Sequence, residues 1–342
     1  MKKMTLAITG GGTGGHLVIA KALKESALDS GIRVIYLGSN YGQDRAWFEE
    51  DSDISSKYFF NTSGVVNKKG FKKILALFAI LVAVIKAFFI LKKEQVDVVI
   101  SVGGYSAAPA SIASILRRKP FFIHEQNATI GKLNALLKPF SKGFFSSYSE
   151  PSFDYPVRYD FFDTARERDR VKNVIFLGGS QGAKAINELA LQLAPKLQEM
   201  GIRIIHQSGK NDLERVQKEY ADLGIDANVF AFSSHMPNLI AKTDFAIARS
   251  GASTVWEITA NQLPTLFIPY PYAAKDHQAA NAQNHVDQGA CWMMREGEID
   301  EAVILDLLAG SVKAQSQKLK TMLSPKGADT IISTIEKVYN GL

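Results

Sequence analysis

Two stretches of this chain are built alike. "AITGGGTGGHLVIAKAL" (7–23) and "NVIFLGGSQGAKAINELALQL" (173–193) each run from apolar residues through a cluster of small ones into a helical pattern. A glycine-rich turn after a strand lets the backbone reverse tightly. The following helix then aims its unpaired N–H groups into the turn, and its dipole adds attraction for negative charge. Each turn suits a phosphate or a developing anion, or serves as a plain strand-to-helix connection. Two of them, one per half, constrain the chain to a strand–turn–helix scheme begun twice.

The intervening pattern fits that scheme. In the first half, strands are expected at 4–9, 33–37, 56–60, 96–101 and 120–124, and helices at 16–30, 42–50, 71–93 and 107–118. Near-continuous apolar runs such as "VDVVIS" suit parallel strands covered on both faces. The pattern weakens over 148–172, where two prolines and the charge run "RERDR" mark an interdomain linker. Beyond it, "IRIIHQSG", "NVFAF", "DFAIARS" and "PTLFIP" read as further strands, and 326–340 reads as a closing helix able to pack on either half. The fold class is α/β, with two Rossmann-like halves.

The first glycine cluster has G-x-G-x-x-G spacing at Gly10, Gly12 and Gly15, which raises a dinucleotide. Such a fold places a carboxylate at the end of its second strand to hold the ribose hydroxyls. Here that strand ends in Gly38, Ser39 and Asn40, and the loop ends in His16, so NAD is set aside. A net charge of +6 favours an anionic partner. The single cysteine, Cys291, excludes an intramolecular disulfide and fits a reducing compartment. "MTLAI" is too short for the apolar core of a secretion signal, so none is expected.

The segment "FKKILALFAILVAVIKAFFILKKE" (71–94) needs separate treatment. Its longest unbroken apolar run, Ile74–Ile85, is shorter than the roughly 18–20 residues a spanning helix needs. Lys86 then interrupts it. At helical spacing Lys72, Ala79, Lys86 and Lys93 form a narrow stripe beside Ala76, Ala83 and Ala87, and nearly every other position is large and apolar. One face is expected on the sheet. The other requires a second apolar environment: an anionic membrane surface reached through 68–93, the protein interior, or a dimer contact. The basic residues gather around this segment without interleaved aromatic stacking motifs, which argues against nucleic acid.

Seven motifs occur in order: "GGTGGH" (11–16), "GGY" (103–105), "HEQN" (124–127), "PVR" (156–158), "GGSQGA" (178–183), "HQSGK" (206–210) and "RSGASTVWEI" (249–258). Together, across essentially the whole chain, they resemble the MurG family. Its members are the UDP-N-acetylglucosamine:N-acetylmuramyl-(pentapeptide) pyrophosphoryl-undecaprenol N-acetylglucosamine transferases of bacterial peptidoglycan synthesis. The resemblance implies a GT-B fold, two Rossmann-like domains facing a cleft. Domains are expected at 1–155 (acceptor and membrane) and 156–325 (UDP-sugar), with a helix over 326–342 returning to the first. It also implies an inverting transfer of N-acetylglucosamine from UDP-N-acetylglucosamine to the 4-hydroxyl of lipid I. The enzyme would work peripherally on the cytoplasmic face of the inner membrane.

By the same resemblance, Ser180 contacts the donor, Phe232 and Ser233 meet the uracil, and Ala252, Ser253, Thr254, Val255, Trp256 and Glu257 form the nucleotide-binding block. Glu257 matches the ribose-binding carboxylate. Its rival reading is a capping box, Thr254 to Glu257, at a helix start. Gln278 and Asn127 match sugar contacts, and Thr13, Gly14 and Gly15 match the loop at the donor sugar and acceptor diphosphate. Arg158 matches the arginine of "PVR", although Tyr155 stands where the family has asparagine. His16 is the first candidate base for the attacking hydroxyl, or else a positioning group at the helix start. Glu125 is the alternative base, and His124 is expected to make an internal hydrogen bond. His277 and His285, eight apart, lack carboxylate or thiol neighbours, so no metal is expected, and no cofactor. Two rival functions remain: a UDP-N-acetylglucosamine 2-epimerase, and a UDP-sugar-binding subunit without chemistry.

Overall fold

The computed structural model describes residues 3–64, 69–179, 182–233 and 235–341. The chain divides into two compact units, 1–157 with 326–342, and 158–325.

The first unit is a six-stranded sheet, all parallel, in the order β3-β2-β1-β4-β5-β6. Its elements are β1 (Thr5–Thr9), α1 (Gly14–Asp29), β2 (Arg33–Ser39), α2 (Asp44–Phe48), β3 (Ser56–Phe60), α3 (Phe71–Lys93), β4 (Val98–Ser101), α4 (Ala108–Leu116), β5 (Phe121–Glu125), α5 (Lys132–Leu137) and β6 (Gly143–Ser146). The order reverses between β1 and β4, so ligands are expected beyond the carboxyl ends of those strands. The β1–α1 turn lies at that point.

Helix α3 inverts the usual arrangement. Its small residues Ala76, Ala83 and Ala87 are buried, with Val84 and Leu91, and the last four of these five pack into a core with Ile35, Val99 and Phe121. Its large residues point away: Phe71, Ile74, Phe78, Leu81, Ile85 and Phe89 are each more than half exposed. At 23 residues the helix is long and apolar enough to cross a membrane, yet its inner face is committed to the sheet and to α4.

The second unit repeats the plan, all parallel, in the order β12-β11-β10-β7-β8-β9. It comprises α6 (Tyr159–Asp163), β7 (Asn173–Leu177), α7 (Lys184–Glu199), β8 (Arg203–Gln207), α8 (Leu213–Asp222), β9 (Ala227–Phe230), α9 (Met236–Ala241), β10 (Phe245–Ala248), α10 (Ala252–Ala260), β11 (Thr265–Phe267), α11 (His277–Asp287), β12 (Trp292–Met293), α12 (Glu301–Ala309) and α13 (Lys313–Lys320). The last helix, α14 (Gly327–Tyr339), packs in the first unit against α1, where the Ser26 hydroxyl donates to Asp329 Oδ1 at 2.6 Å. Gly327 is pressed against the Asp154 and Tyr155 carbonyls, where a Cβ would come within 2.6 Å of oxygen.

The stretch read as a linker is partly structured. Tyr159–Asp163 is helical, and Arg168 of the "RERDR" run is 1% exposed. The Arg168 guanidinium donates to the carbonyls of Arg166, Ile240, Thr243 and Asn261, so it ties this strap into the second unit rather than solvating it. Elements α5, β6 and β12 had no counterpart in the sequence reading.

Candidate active site

In the first unit, the loop after β1 interlocks with the loop after β4. A Cβ on Gly10 would lie 2.3 Å from Gly103 O, and one on Gly104 would lie 2.1 Å from Gly11 O; all four glycines have positive φ. Two of the loop's donors are spent internally. Gly11 N donates to Gly103 O at 3.1 Å, and Gly12 N donates to Asp44 Oδ2 at 2.6 Å. At Gly12 the anion on the turn is a buried carboxylate of the chain itself, Asp44.

Thr13 occupies the N-cap of α1 in extended backbone but makes no side-chain cap. Its hydroxyl faces His16 Nδ1 instead, at 3.0 Å. Gln126 Nε2 lies 2.9 Å from His16 Nε2. With the Gln126 amide in this orientation its nitrogen donates to Nε2, and the neutral ring that accepts it carries its proton on Nδ1. His16 is half-buried in the first turn of α1, beside Gly103. A hydroxyl that delivers its proton to Nε2 must first take Gln126's place.

Glu125, at the end of β5, is 4% exposed and serves four donors. Its Oε1 accepts from Asn127 N (3.0 Å) and Nδ2 (3.4 Å), and its Oε2 from Gly131 N and Asn134 Nδ2, both at 2.9 Å. A carboxylate so engaged organises the turn that presents Asn127. His124 does not meet the expectation of an internal hydrogen bond: its buried Nδ1 has no partner among the described residues. Burial, with a smaller contribution from the nearby His16, pushes its pKa down to about 3. Tyr155 packs edge-on against it at 5.6 Å.

In the second unit, Gly182 N donates to Gly179 O at 3.0 Å, and a Cβ on Gly182 would strike Ser208 O at 2.3 Å. The loop is thus held against the residues after β8. Ser180 lies outside the described residues. Helix α7 starts beyond it, and no side chain caps its N-terminus. The Ser208 side is braced by Asn187, which donates to Ser208 O (3.0 Å) and to Asp212 Oδ2 (2.6 Å). Arg215 grips Asp212 in turn and lowers its pKa to about 2.

Helix α10 settles the reading of 252–257. It begins at Ala252 after Gly251, two residues before Thr254, with no side-chain cap, so the capping box does not form. Ala252, Val255 and Trp256 are buried, and Trp256 packs on His285 at 5.0 Å. These three side chains anchor the helix. Ser253, Thr254 and Glu257 share the accessible face. Lost hydration pushes the Glu257 carboxyl up to about 8; Arg158 opposes this and Asp160 adds to it. Arg158 itself pairs with Asp160, through Nε at 3.1 Å and through Nη2. The fold thus brings Arg158 and Glu257 into one electrostatic neighbourhood.

Phe232 is 60% exposed, so it is not the core residue its type suggests. Ser233 Oγ accepts from His235 N at 3.0 Å, and Gln278 Oε1 accepts from Tyr270 N at 2.9 Å. His285 is buried against Thr259 (2.9 Å), whereas His277 reaches the Ala274 carbonyl (2.9 Å), so the two do not form a pair. Among the described residues, no three His, Cys, Asp or Glu gather as a metal site.

The glycosyltransferase family 28 N-terminal domain matches residues 6–146, and the family 28 C-terminal domain matches 173–335. A protein of Sulfurovum sp. (strain NBC37-1) is 50% identical over 97% of this chain and 98% of its own length. One of Campylobacter fetus subsp. fetus is 49% identical over 97% and 99%. Both are named UDP-N-acetylglucosamine--N-acetylmuramyl-(pentapeptide) pyrophosphoryl-undecaprenol N-acetylglucosamine transferase. The crystal structure of Acinetobacter baumannii MurG superposes with a TM-score of 0.75 at 28% identity, over 98% of this chain and all of that one.

Proposed function

Because the chain belongs to glycosyltransferase family 28, we propose that it transfers N-acetylglucosamine from UDP-N-acetylglucosamine to the 4-hydroxyl of undecaprenyl-pyrophosphoryl-N-acetylmuramoyl-pentapeptide, with inversion. The observation that carries this reading is identity near 50% along almost the whole chain with relatives of that name. The acceptor oxygen forms a bond to the anomeric carbon as the bond from that carbon to the UDP oxygen breaks. UDP departs with the electron pair, and the hydroxyl proton passes to His16 Nε2. Glu125 holds the turn that carries Asn127, the sugar contact.

The donor occupies the second unit. Glu257 accepts from the ribose hydroxyls, Phe232 stacks on uracil, and Ser180, Ser233, Ser253, Thr254, Gln278 and Arg158 complete the contacts. The uncapped N-termini of α7 and α10 stabilise the departing diphosphate through preorganised N–H groups. On the first unit, Thr13, Gly14 and Gly15 meet the donor sugar and the acceptor diphosphate.

The outward stripe of α3 docks the enzyme on the anionic cytoplasmic face of the inner membrane. Six large apolar residues with about 50–70% exposure offer about 7 kcal/mol if fully removed from water. Lys69, Lys72, Lys73, Lys86, Lys92 and Lys93 add about 1 kcal/mol each near an anionic leaflet. Lys68 lies outside the described residues.

The deciding experiment is UDP release from UDP-N-acetylglucosamine with and without a lipid-linked muramoyl acceptor. Release only with acceptor is expected. Conversion of the donor without acceptor would favour a 2-epimerase, and nucleotide binding without turnover a non-catalytic subunit.

A further inference from the structure

The Asp44 carboxylate is completely buried, and its hydrogen-bond partners among the described residues are neutral groups. It lies under the first glycine loop with two N–H donors on it, Gly12 N on Oδ2 at 2.6 Å and Ser39 N on Oδ1 at 3.1 Å. The Tyr36 hydroxyl has one proton, shared between Gly10 O at 2.7 Å and Asp44 Oδ1 at 3.2 Å. The cavity is shaped for this group. A Cβ on Gly11 would come within 2.6 Å of Asp44 Oδ1, and one on Gly38 within 2.8 Å. An N–H donor and a buried anion at the turn between β1 and α1 are what a phosphate site supplies, with the anion here provided by the chain itself.

We propose that Asp44 is the resident anion of the first glycine loop and a positioning residue for His16. The path is short: Asp44 holds Gly12 N, Gly12 precedes Thr13, and the Thr13 hydroxyl orients His16 through Nδ1. With its seat filled, the 10–12 turn takes no nucleotide diphosphate, which leaves UDP to the second unit. The inference rests on the reading of His16 as the group that receives the acceptor proton.

The test is a double-mutant cycle of D44N with H16A, read as kcat at saturating donor and acceptor, with UDP affinity by calorimetry as a parallel readout. Asparagine keeps the shape, but one of its two terminal atoms becomes a donor, so it cannot serve Gly12 N and the Ser39–Tyr36 pair together. D44N should lower kcat about tenfold or more in the wild-type background and less than about twofold in H16A, since the two act as one unit. UDP affinity should stay within about twofold of wild type in D44N, as the nucleotide does not touch this loop. A merely structural role would give the same fractional loss in both backgrounds and overturn the inference, and so would weakened UDP binding. If H16A itself kept wild-type kcat, the His16 reading would fail first, and visibly so. Should D44N not fold, D44E keeps both acceptors one methylene out of place and carries the same cycle; a loss that persists in H16A, or no loss, overturns the proposal.

Discussion

Glu257 makes a prediction with a sign and a size. In the free protein its carboxyl is pushed up to about 8 by burial beside Asp160, with Arg158 pulling the other way. A ribose diol donates two hydrogen bonds, and the form that accepts both is the carboxylate. Below pH 8 most of the protein holds the wrong form, and the apparent Kd is the intrinsic value divided by the competent fraction. With a pKa of about 8, that fraction is about one tenth at pH 7 and about nine tenths at pH 9, so affinity should tighten about tenfold between them. The assay is calorimetric titration with uridine, which lacks a titrating phosphate, from pH 6 to 9.5. E257Q should bind more weakly at pH 9 and show no such slope. Stability supplies a second readout. Between the unfolded pKa near 4.5 and the folded value near 8, the unfolded chain binds fewer protons, so wild-type stability falls as pH rises through that window. E257Q escapes this loss and should melt above wild type at pH 8. A flat wild-type binding profile, or a slope that survives in E257Q, would refute the assignment of the ribose to this carboxylate.

Three further outcomes are expected. E125Q leaves donors around a 4%-exposed carboxylate unserved, at a cost of about 1–3 kcal/mol; its melting temperature should drop while the acid limb of the kcat–pH profile keeps its midpoint, and a lost limb would make Glu125 the base. F78S with I85S removes side chains 63% and 52% exposed, worth about 2 kcal/mol together against lipid; partition onto anionic vesicles should fall about thirtyfold with UDP binding intact, and unchanged partition would place another surface at the membrane. G10A puts a Cβ 2.3 Å from Gly103 O at a φ of +119°; it should destabilise the first unit by more than about 2 kcal/mol in denaturant titration, and near-wild-type stability would show that the interlocked loops yield easily.

The strands that carry the fold were legible because each is a run of apolar residues ended by a glycine or a polar cluster, as in "LAIT" before Gly10 and "VIFL" before Gly178. β12 escaped because two residues give no period to read, and β6 because its apolar run is only Phe144–Phe145 between Gly143 and Ser146. Arg168 escaped for another reason: a charge run looks solvated until four backbone carbonyls converge on one guanidinium, and those carbonyls come from residues 166 to 261. Asp44 left no local sign either. The residues it binds, Gly12, Tyr36 and Ser39, come from the β1–α1 turn and from β2, and the parallel register of β1 against β2 brings them together. Glu257 was found from its motif, but its shifted pKa follows from burial in the folded chain, with Arg158 and Asp160, a hundred residues earlier, pulling in opposite directions.

Helix α3 shows where a pattern underdetermines a face. Alanines at 76, 83 and 87 and large residues at 78, 81, 85 and 89 define two stripes, and the sequence does not say which is inner. Packing decides it. A sheet approached by alanines brings the helix close and buries its backbone, and a core already filled by Ile35, Phe60, Val99, Phe121 and Ile123 has little room for further phenyl rings. The large stripe is then left outside by volume rather than by polarity. Phe89 packs edge-on against Phe88 at 5.7 Å, whereas Phe71 and Phe78 are 71% and 63% exposed. The membrane surface proposed above, a medium both apolar and anionic, would suit these residues and the lysines beside them.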